Sequence, residues 1–418
     1  MLANPEAITL TQDQQTALDA FYQFLVDPIE SVFVLRGYSG CGKSTLVRIL
    51  LDRLPGFMKT AKLINPKHPD YEVALTATTN KAAENLSQIT GHSAGTIHSF
   101  LNLRVNTDFR TNITTLTPRK HEQLEDYLLF IDEASYVDKQ LLGYIFQLTR
   151  HCKIVFIGDP AQLTPVKSVG APVFDAHFNG AALTTVVRQA KDNPIVELST
   201  KFRNTVNTGK FFSFKPDGNH VKYLPRAEFL KAIEAEFTRP DWRHHDSKIL
   251  AWTNKCVINY NHHVNGMVRG VPHFQVGDYA VCNSFVTSGR LSLKTDQLVQ
   301  ITSIEAESVH HDVPGNWVTL DYVFRAFHPK TLQERNARIK QARDVGQFSL
   351  VAEIEQEWID LRAAYACTIN KAQGSTYDRV FVDLDDIRRC NSGDQIARML
   401  YVGVSRARHQ VFLTGDLV

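Results

Sequence analysis

Short apolar runs in the first 160 residues alternate with helical patterns, and each run ends abruptly on polar, glycine or acidic residues. The four runs are SVFVLRG (31–37), EVALTATT (72–79), YLLFIDE (127–133) and KIVFIGD (153–159). Runs that are apolar throughout predict strands buried on both faces of a parallel sheet. Helical patterns such as STLVRILLDRL (44–54) lie between them. We therefore predict an α/β sheet with a ligand site beyond the carboxyl ends of these strands.

A second set of apolar runs, after residue 190, predicts a second parallel sheet. Its members are KILAWTN (248–254), DRVFVDL (378–384) and HQVFLTG (409–415). Residues 277–327 instead contain short strands separated by polar turns, which is typical of a small antiparallel barrel. Residues 329–361 are charged and helical in pattern, with an interruption at Gly346, and predict a solvated helical pair beside that barrel.

Charge and cysteine content narrow the class of protein only a little. The chain has 46 basic and 44 acidic side chains, so a nucleic-acid partner would have to be held by local basic grooves. The six cysteines show no Cys-x-x-Cys pair, which argues against a zinc site or a disulfide framework. No basic leader with an apolar run and no stretch of about 18 apolar residues is found. We expect a soluble intracellular protein with no membrane partner.

The segment from Gly37 to Ser44 matches the phosphate-loop pattern G-x-x-x-x-G-K-[ST], and it follows a predicted strand and opens a predicted helix. Backbone amides at such a helix N-terminus cradle phosphates, and Lys43 would reach the β and γ phosphates. The hydroxyl of Ser44 would ligate magnesium. The predicted nucleotide-binding residues are Gly37, Gly40, Gly42, Lys43, Ser44 and Thr45.

Acidic and amide side chains at two other strand ends predict hydrolysis of the bound nucleotide. Asp132 would hold Mg²⁺ through water, and Glu133 would orient or deprotonate the attacking water. Gln162, in GDPAQLTPV (158–166), would bond both a γ-phosphate and a nearby backbone group. We therefore predict an enzyme that hydrolyses its bound nucleotide with Mg²⁺.

Five further segments, in a fixed order after the phosphate loop, resemble the motif series of superfamily 1B DNA helicases of the Dda-like and RecD type. They are AGTIHSFL (94–101), DEAS (132–135), GDPAQLTPV, TINKAQGSTYD (368–378) and MLYVGVSRARH (399–409). The resemblance implies an α/β fold with two RecA-like P-loop domains, an inserted β-barrel and a hairpin insertion. ATP hydrolysis between the two RecA-like domains would drive movement along single-stranded DNA, 5′ to 3′.

The resemblance also implies domain boundaries and further nucleotide contacts. The first RecA-like domain would span residues 1–188, the second 189–270 with 362–418, and the inserted domain 271–361. Arg188 and Arg406 would face the γ-phosphate, and Gly374 would join the nucleotide site. Gln14, in LTQDQQTAL (10–18), matches an adenine-reading glutamine, but the Thr-x-x-Gln spacing also predicts a helix capping box.

Strand contacts are implied for residues of both RecA-like domains. They are Thr78, Asn80, Thr96, His98, Thr253, Asn254, Thr368 and Lys371. A histidine such as His98 is, taken alone, more often structural than a ligand. The stretch ATTNKAA (77–83) also resembles superfamily 1A, whose members move 3′ to 5′, so that the opposite polarity stays open.

Residues 101–126 are polar and Thr-rich and correspond to a hairpin that acts as a wedge in Dda-like enzymes, with Phe109 as the candidate for stacking on a base. A plain surface loop is the alternative. The expected partners are single-stranded and forked DNA, with replication or recombination proteins possible for a monomer in the cytoplasm of a bacterial or phage-infected cell. An RNA-directed or protein-displacing translocase, or a nucleotide-gated switch, would share the same motifs.

Overall fold

The computed structural model describes residues 9–108, 113–119, 122–164, 170–187, 193–270 and 273–417. The chain divides into two compact units, and each is described by itself. The first comprises Met1–Arg104 and Pro118–Phe211, and the second comprises Val105–Thr117 and Phe212–Val418.

A six-stranded parallel sheet forms the centre of the first unit. The strands of this part of the chain are Val32–Gly37 (β1), Glu72–Ala77 (β2), Ala94–Thr96 (β3), Leu103–Asp108 (β4), Ile113–Pro118 (β5), Leu124–Glu125 (β6), Tyr127–Asp132 (β7), Thr149–Arg150 (β8), Lys153–Gly158 (β9) and Gly180–Leu183 (β10). The sheet order is β10-β1-β9-β7-β2-β3, with every neighbouring pair parallel. The four strands predicted from the first apolar runs are therefore confirmed.

Helices connect and cover these strands. They are Gln12–Val26 (α1), Lys43–Ile64 (α2), Asn80–Thr90 (α3), Ile97–Phe100 (α4), Lys139–Leu148 (α5), Pro172–Asp175 (α6) and Pro194–Thr208 (α7), with a 3₁₀ turn at Ala134–Tyr136. One core cluster joins Phe21 of α1 to Phe33 and Phe130 of the sheet. Burial of each such ring contributes roughly 1.5–3 kcal/mol, so helix α1 is held firmly against the phosphate-loop strand β1.

Strands β4 and β5, most of whose residues belong to the second unit, pair with each other as a separate two-stranded sheet within the insertion predicted at residues 101–126. Paired strands agree with the predicted hairpin and not with the plain surface loop. Phe109, the candidate wedge residue, lies outside the described residues, so its role stays a prediction.

The second unit contains a parallel and an antiparallel sheet. Its strands are Val221–Tyr223 (β11), Ser247–Ala251 (β12), Tyr279–Cys282 (β13), Val286–Ser288 (β14), Leu291–Leu293 (β15), Leu298–Ile304 (β16), Ser308–His310 (β17), Val313–Leu320 (β18), Phe324–Pro329 (β19), Leu361–Ala363 (β20), Ala366–Thr368 (β21), Tyr377–Asp383 (β22) and Ala407–Thr414 (β23). Its helices are Arg226–Phe237 (α8), Asn254–Arg269 (α9), Leu332–Asp344 (α10), Phe348–Glu357 (α11), Ile369–Ala372 (α12), Leu384–Ile387 (α13) and Gly393–Ser405 (α14).

The parallel sheet and the large antiparallel sheet of the second unit have separate apolar cores. The parallel sheet has the order β11-β23-β22-β12-β21, and its core contains Phe229, Phe237 and Phe381. The antiparallel sheet has the order β17-β18-β16-β13-β20, with β19 added to β18. The predicted second parallel sheet and antiparallel insertion are thus both observed. The exact boundary of an inserted domain at residues 271–361 stays a prediction.

Helices α10 and α11 form the predicted helical pair, separated at Gly346, which has φ +75°. The pair is less solvated than its composition suggests, because Ile339 and Ile354 pack with Trp358 and Phe327. Among the described helices, none has both the length and the apolar character needed to cross a membrane.

Candidate nucleotide and nucleic-acid sites

The phosphate loop joins β1 to α2, and its glycines are required by shape. Gly40 and Gly42 have φ values of +81° and +76°, a region that other residues rarely adopt. A Cβ atom on Gly42 would also lie 2.6 Å from Nε2 of Gln14. Lys43 begins α2, and its Nζ donates to the carbonyls of Gly37 (2.8 Å) and Tyr38 (3.1 Å). The loop therefore holds its own lysine across the position where phosphates are expected. Ser44 and Thr45 lie half-buried in the first turn of α2.

Gly42→Ala is expected to weaken nucleotide binding at least about tenfold, because it adds both backbone strain and a clash with Gln14. Gly91→Ala is the matched control, since Gly91 has φ +72° but open space around it. The control should lower the free energy of unfolding by about 1–2 kcal/mol and leave nucleotide affinity unchanged. Titration with a fluorescent nucleotide and thermal melting measure both effects, and equal affinities for the two variants would contradict the clash.

Gln14 is 4% exposed, and both atoms of its amide are hydrogen bonded. Its Oε1 accepts from the backbone N–H of Thr11 (3.0 Å), and the Thr11 hydroxyl accepts from the N–H of Gln14 (3.4 Å). The predicted capping box is therefore present. Nε2 of Gln14 donates to the carbonyl of Cys41 in the phosphate loop (3.2 Å). Gln14 thus buttresses the loop from helix α1, and its contact with adenine stays a prediction.

Asp13, beside Gln14, is a residue that the sequence did not single out. Its carboxylate accepts from the backbone N–H groups of Thr184 (2.7 Å) and Thr185 (2.8 Å). The N–H of Val187 donates to the carbonyl of Gly40 (2.9 Å). The segment that follows β10 is therefore fixed against both α1 and the phosphate loop. Arg188, the next residue along the chain, lies outside the described residues, and its proposed contact with the γ-phosphate stays a prediction.

Asp13→Asn is expected to destabilise the protein in a pH-dependent way. Burial raises the pKa of Asp13, but hydrogen bonds from Thr11 and the two threonine amides outweigh it and lower the pKa from 3.8 to about 2. A depressed pKa means that the carboxylate stabilises the fold above about pH 3.8 and loses this contribution as the pH falls through about 2. Because the group is partly exposed, we expect a loss of only about 1 kcal/mol at pH 7.

Denaturant unfolding at pH 7, 4 and 3 measures this effect. The difference between the wild type and Asp13→Asn should shrink with falling pH. Asp19→Asn on the same helix, where the exposed carboxylate accepts from the Gln15 side chain, is the control and should change stability by less than about 0.5 kcal/mol. If the difference in free energy of unfolding between the wild type and Asp13→Asn stayed constant with pH, the charge of Asp13 would not be the source of its stabilising effect.

Asp132 and Glu133 lie at the carboxyl end of β7, as predicted. Burial and, to a smaller extent, the neighbouring carboxylate of Glu133 raise the pKa of Asp132 to about 7, while the N–H of Glu133 and the charge of Lys43 oppose the shift. Glu133 has φ +54° and ψ +45°, an uncommon conformation for a residue with a side chain. Its N–H donates to Oδ1 of Asp132 (2.8 Å). The two acids are therefore held as a unit at the end of the strand next to β9.

Gln162 follows β9, and both Gln162 and Asp159 are buried. The side-chain amide of Gln162 donates to the carboxylate of Asp159. Nε2 of Gln162 lies 3.4 Å from Oδ2 of Asp159, and the N–H of Ala161 donates to the other carboxylate oxygen (2.9 Å). The segment GDPAQ thus forms a compact turn at the edge of the sheet where Asp132 and Glu133 lie. Contact between Gln162 and a γ-phosphate stays a prediction.

Arg406 in the second unit is 3% exposed and is built into the protein by hydrogen bonds. Its guanidinium donates to the carbonyls of Val402 (3.1 Å) and Ser375 (3.2 Å) and to the hydroxyl of Ser405 (2.8 Å). Gly374, with φ +78°, directly precedes Ser375. The segments TINKAQGSTYD and MLYVGVSRARH are therefore in contact through the hydrogen bond from Arg406 to Ser375. Contact of Arg406 and Gly374 with a nucleotide stays a prediction.

The four segments predicted to contact the DNA strand share one local structure, in which a strand is followed by a threonine cap and a helix N-terminus. In each, the threonine hydroxyl accepts from a backbone N–H of the first helical turn. The caps are Thr79 on α3, Thr96 on α4, Thr253 on α9 and Thr368 on α12. Asn80 and Asn254 are the first residues of their helices. Helix N-termini favour phosphate groups, so this repeated arrangement suits sequence-independent backbone contact.

His98 lies in α4 directly after the Thr96 cap and the buried Ile97. Burial lowers its pKa, although Asp138 opposes the shift. The lowered pKa favours the neutral imidazole, which is a weaker partner for phosphate than a charged one.

Two of the predicted strand contacts in the second unit are already engaged by protein groups. Nζ of Lys371 donates to Asn283 (2.6 Å) and Asp296 (2.6 Å) of the antiparallel sheet region. The side-chain oxygen of Asn254 accepts from Arg362 (2.9 Å). Asn283 and Arg362 carry no motif, so sequence reasoning missed them.

Asp386 is another residue that the sequence did not indicate. It is buried and accepts from the backbone N–H groups of Trp252 (2.8 Å) and Thr253 (2.7 Å) and from the Thr253 hydroxyl (2.7 Å). Helix α13, which contains Asp386, therefore stabilises the Thr253 cap of α9.

Comparison with known proteins agrees with this arrangement. The model of the AAA domain matches residues 9–222, slightly more than half of the chain, and the model of the UvrD-like helicase C-terminal domain matches residues 363–414. The chain is 24% identical to the ATP-dependent DNA helicase dda of Enterobacteria phage T4, over 96% of this chain and 98% of that protein. It is 30% identical to the ATP-dependent RecD2 DNA helicase of Deinococcus radiodurans, over 45% of this chain and 23% of that protein.

A solved structure shows the same fold. The Pif1 helicase from Bacteroides, crystallised in complex with ADP-AlF3 and single-stranded DNA, aligns with a TM-score of 0.52 and 16% identity, over 99% of this chain and 94% of that one. The predicted likeness to superfamily 1B and the predicted fold class are thus confirmed. The chain belongs to the AAA-domain family and is a homologue of the ATP-hydrolysing DNA helicases of superfamily 1B.

Proposed function

We propose that the protein hydrolyses ATP with Mg²⁺ and uses the free energy to move along single-stranded DNA and unwind duplex DNA, 5′ to 3′. One observation carries this proposal. Strands β7 and β2 are parallel neighbours, and Ala77 pairs with Asp132 at their carboxyl ends. Asp132 and Glu133 therefore lie beside the Thr79 cap of α3, the first of the four segments predicted to contact DNA. DNA bound at that segment could thus affect hydrolysis at the two acids.

The residues at the phosphate loop suit a magnesium nucleotide. Hydroxyl and carboxylate oxygens are the ligands that Mg²⁺ prefers, so Ser44 and Asp132 would hold it. Bound Mg²⁺ would neutralise charge on the β and γ phosphates. Lys43 would leave the carbonyls of Gly37 and Tyr38 to bond the same phosphates, and Glu133 would orient and deprotonate the attacking water.

The proposed contacts with single-stranded DNA are made by hydroxyls, amides and helix N-termini, and few of them involve a cation. Such contacts ignore base sequence, and the small number of lysines predicts a shallow dependence of affinity on salt. In this proposal the side chains of Asn80, Asn254 and Lys371 would exchange their present partners or solvent for phosphate oxygens. We propose single-stranded and forked DNA as the partners of a monomer.

Side-by-side measurement of ATP hydrolysis with single-stranded DNA and RNA oligonucleotides tests the choice of nucleic acid. We expect DNA to stimulate turnover strongly and RNA to do so weakly. Stronger stimulation by RNA would favour the RNA-directed translocase, and nucleotide-dependent affinity without any stimulation would favour the switch protein.

A further inference from the structure

Thr78 connects the segment proposed to bind DNA with the proposed catalytic acid. Its hydroxyl donates to the backbone carbonyl of Glu133 (3.2 Å), and its N–H donates to the carbonyl of Asp132 (3.2 Å). The second bond extends the pairing of β2 with β7 by one residue beyond Ala77. The hydroxyl bond reaches past the end of the ladder, to the residue whose side chain would act on water.

The backbone of Glu133 depends on such bonds. Its left-handed conformation is strained for a residue other than glycine and persists only where the surroundings enforce it. Its carbonyl accepts from the Thr78 hydroxyl and from the N–H of Tyr136 (3.0 Å), and its own N–H is fixed by Asp132. The direction of the Glu133 side chain is set by this backbone, so a change in one of these bonds changes where the carboxylate points.

Thr78 also lies directly before the helix N-terminus that is proposed to contact DNA. Thr79, the next residue, caps α3 by accepting from the N–H of Ala82 (3.2 Å), and Asn80 begins that helix. A DNA phosphate bound at this helix N-terminus would restrain the backbone of Thr78 and Thr79. The Thr78 hydroxyl therefore links the proposed DNA contact on α3 to the backbone of Glu133.

We propose that Thr78 is a positioning residue that transmits occupancy of the strand site on α3 to Glu133, so that bound DNA raises the rate of ATP hydrolysis. This inference rests on the proposed function. When a strand fixes the α3 N-terminus, the Thr78 hydroxyl holds the Glu133 carbonyl in place and the carboxylate faces the water that it must deprotonate. Without a strand, this segment moves more and the carboxylate is aligned less often.

Thr78→Val tests this inference, because valine keeps the shape of threonine and removes the hydroxyl. ATP turnover is measured at saturating ATP over a series of oligo(dT) concentrations, so that maximal stimulation and half-saturating concentration are obtained separately. We expect the ratio of maximal to DNA-free turnover to fall about 10- to 100-fold, since small misplacements of a catalytic group have effects of that size. Thr78→Ser, which restores the hydroxyl, should recover most of the ratio.

Thr76→Val is the matched control. Thr76 lies on the same strand and its hydroxyl donates to β7 at the carbonyl of Phe130 (2.8 Å), away from Glu133. It should lower thermal stability but keep the wild-type stimulation ratio. If Thr78→Val folds poorly, Thr78→Ala removes the same hydroxyl without adding bulk and carries the same expectation.

Two results would overturn the inference while leaving the proposed function intact. The first is a stimulation ratio for Thr78→Val within about twofold of the wild type. The second is a loss that higher oligo(dT) concentrations fully recover, which would make Thr78 a strand contact only. Absence of stimulation in the wild type would overturn the proposed function itself and this inference with it.

Discussion

Replacing Lys43 with alanine is expected to lower ATP turnover by about 10³-fold or more, because no other cation in the phosphate loop can follow charge onto the transferring phosphoryl group. The fold should persist. In this structure Lys43 bonds to the carbonyls of Gly37 and Tyr38 through two partly buried hydrogen bonds, so that water can replace the ammonium group.

Phosphate release at saturating ATP and DNA measures this effect. Lys62→Ala is the control, since Lys62 lies in the last turn of the same helix and forms an exposed ion pair with Asp70. The control should retain wild-type turnover, because exposed ion pairs contribute little. DNA-stimulated turnover by Lys43→Ala near the wild-type rate would place the chemistry elsewhere.

Glu133→Gln is expected to lower ATP hydrolysis by about 10²- to 10⁴-fold while leaving nucleotide binding intact. Glutamine can still orient water but cannot take its proton. The contacts that hold residue 133 are made by its backbone, from Thr78, Tyr136 and Asp132, so the substitution should not disturb the fold.

Nucleotide titration and phosphate release, measured on the same preparation, separate binding from chemistry. Glu125→Gln is the control, because Glu125 is an exposed acid of the same unit that pairs with Arg150 (3.4 Å). Its turnover should match the wild type. Hydrolysis by Glu133→Gln at the wild-type rate would exclude Glu133 as the base.

The first parallel sheet was predictable because its central strands are mostly apolar and buried on both faces. All six residues of β9 are buried, and four of six in β7, so their sequences show no alternation and indicate a sheet covered on both faces. Phosphate-loop glycines and threonine caps are equally local signals. Each depends on residues within a few positions of one another, which a single sequence displays directly.

Contacts between distant parts of the chain could not be predicted in this way. Nothing in the sequence links Asp13 to Thr184, or Lys371 to Asn283, because neither pair follows a period or a motif. Thr78 shows the same limit. The motif assigned it to the DNA strand, and only the folded sheet reveals its bond to Glu133 across 55 residues of chain.

Displacement of a labelled strand from duplexes that carry only a 5′ or only a 3′ single-stranded DNA tail tests the central claim, that ATP hydrolysis drives directional movement along DNA that unwinds a duplex. We predict that the wild type displaces the strand of the 5′-tailed duplex in the presence of ATP, that it does not act on the 3′-tailed duplex, and that Lys43→Ala displaces neither. Displacement from the 3′-tailed duplex alone would reverse the proposed direction. Failure to displace either strand while DNA-stimulated ATP hydrolysis proceeds would contradict the claim itself.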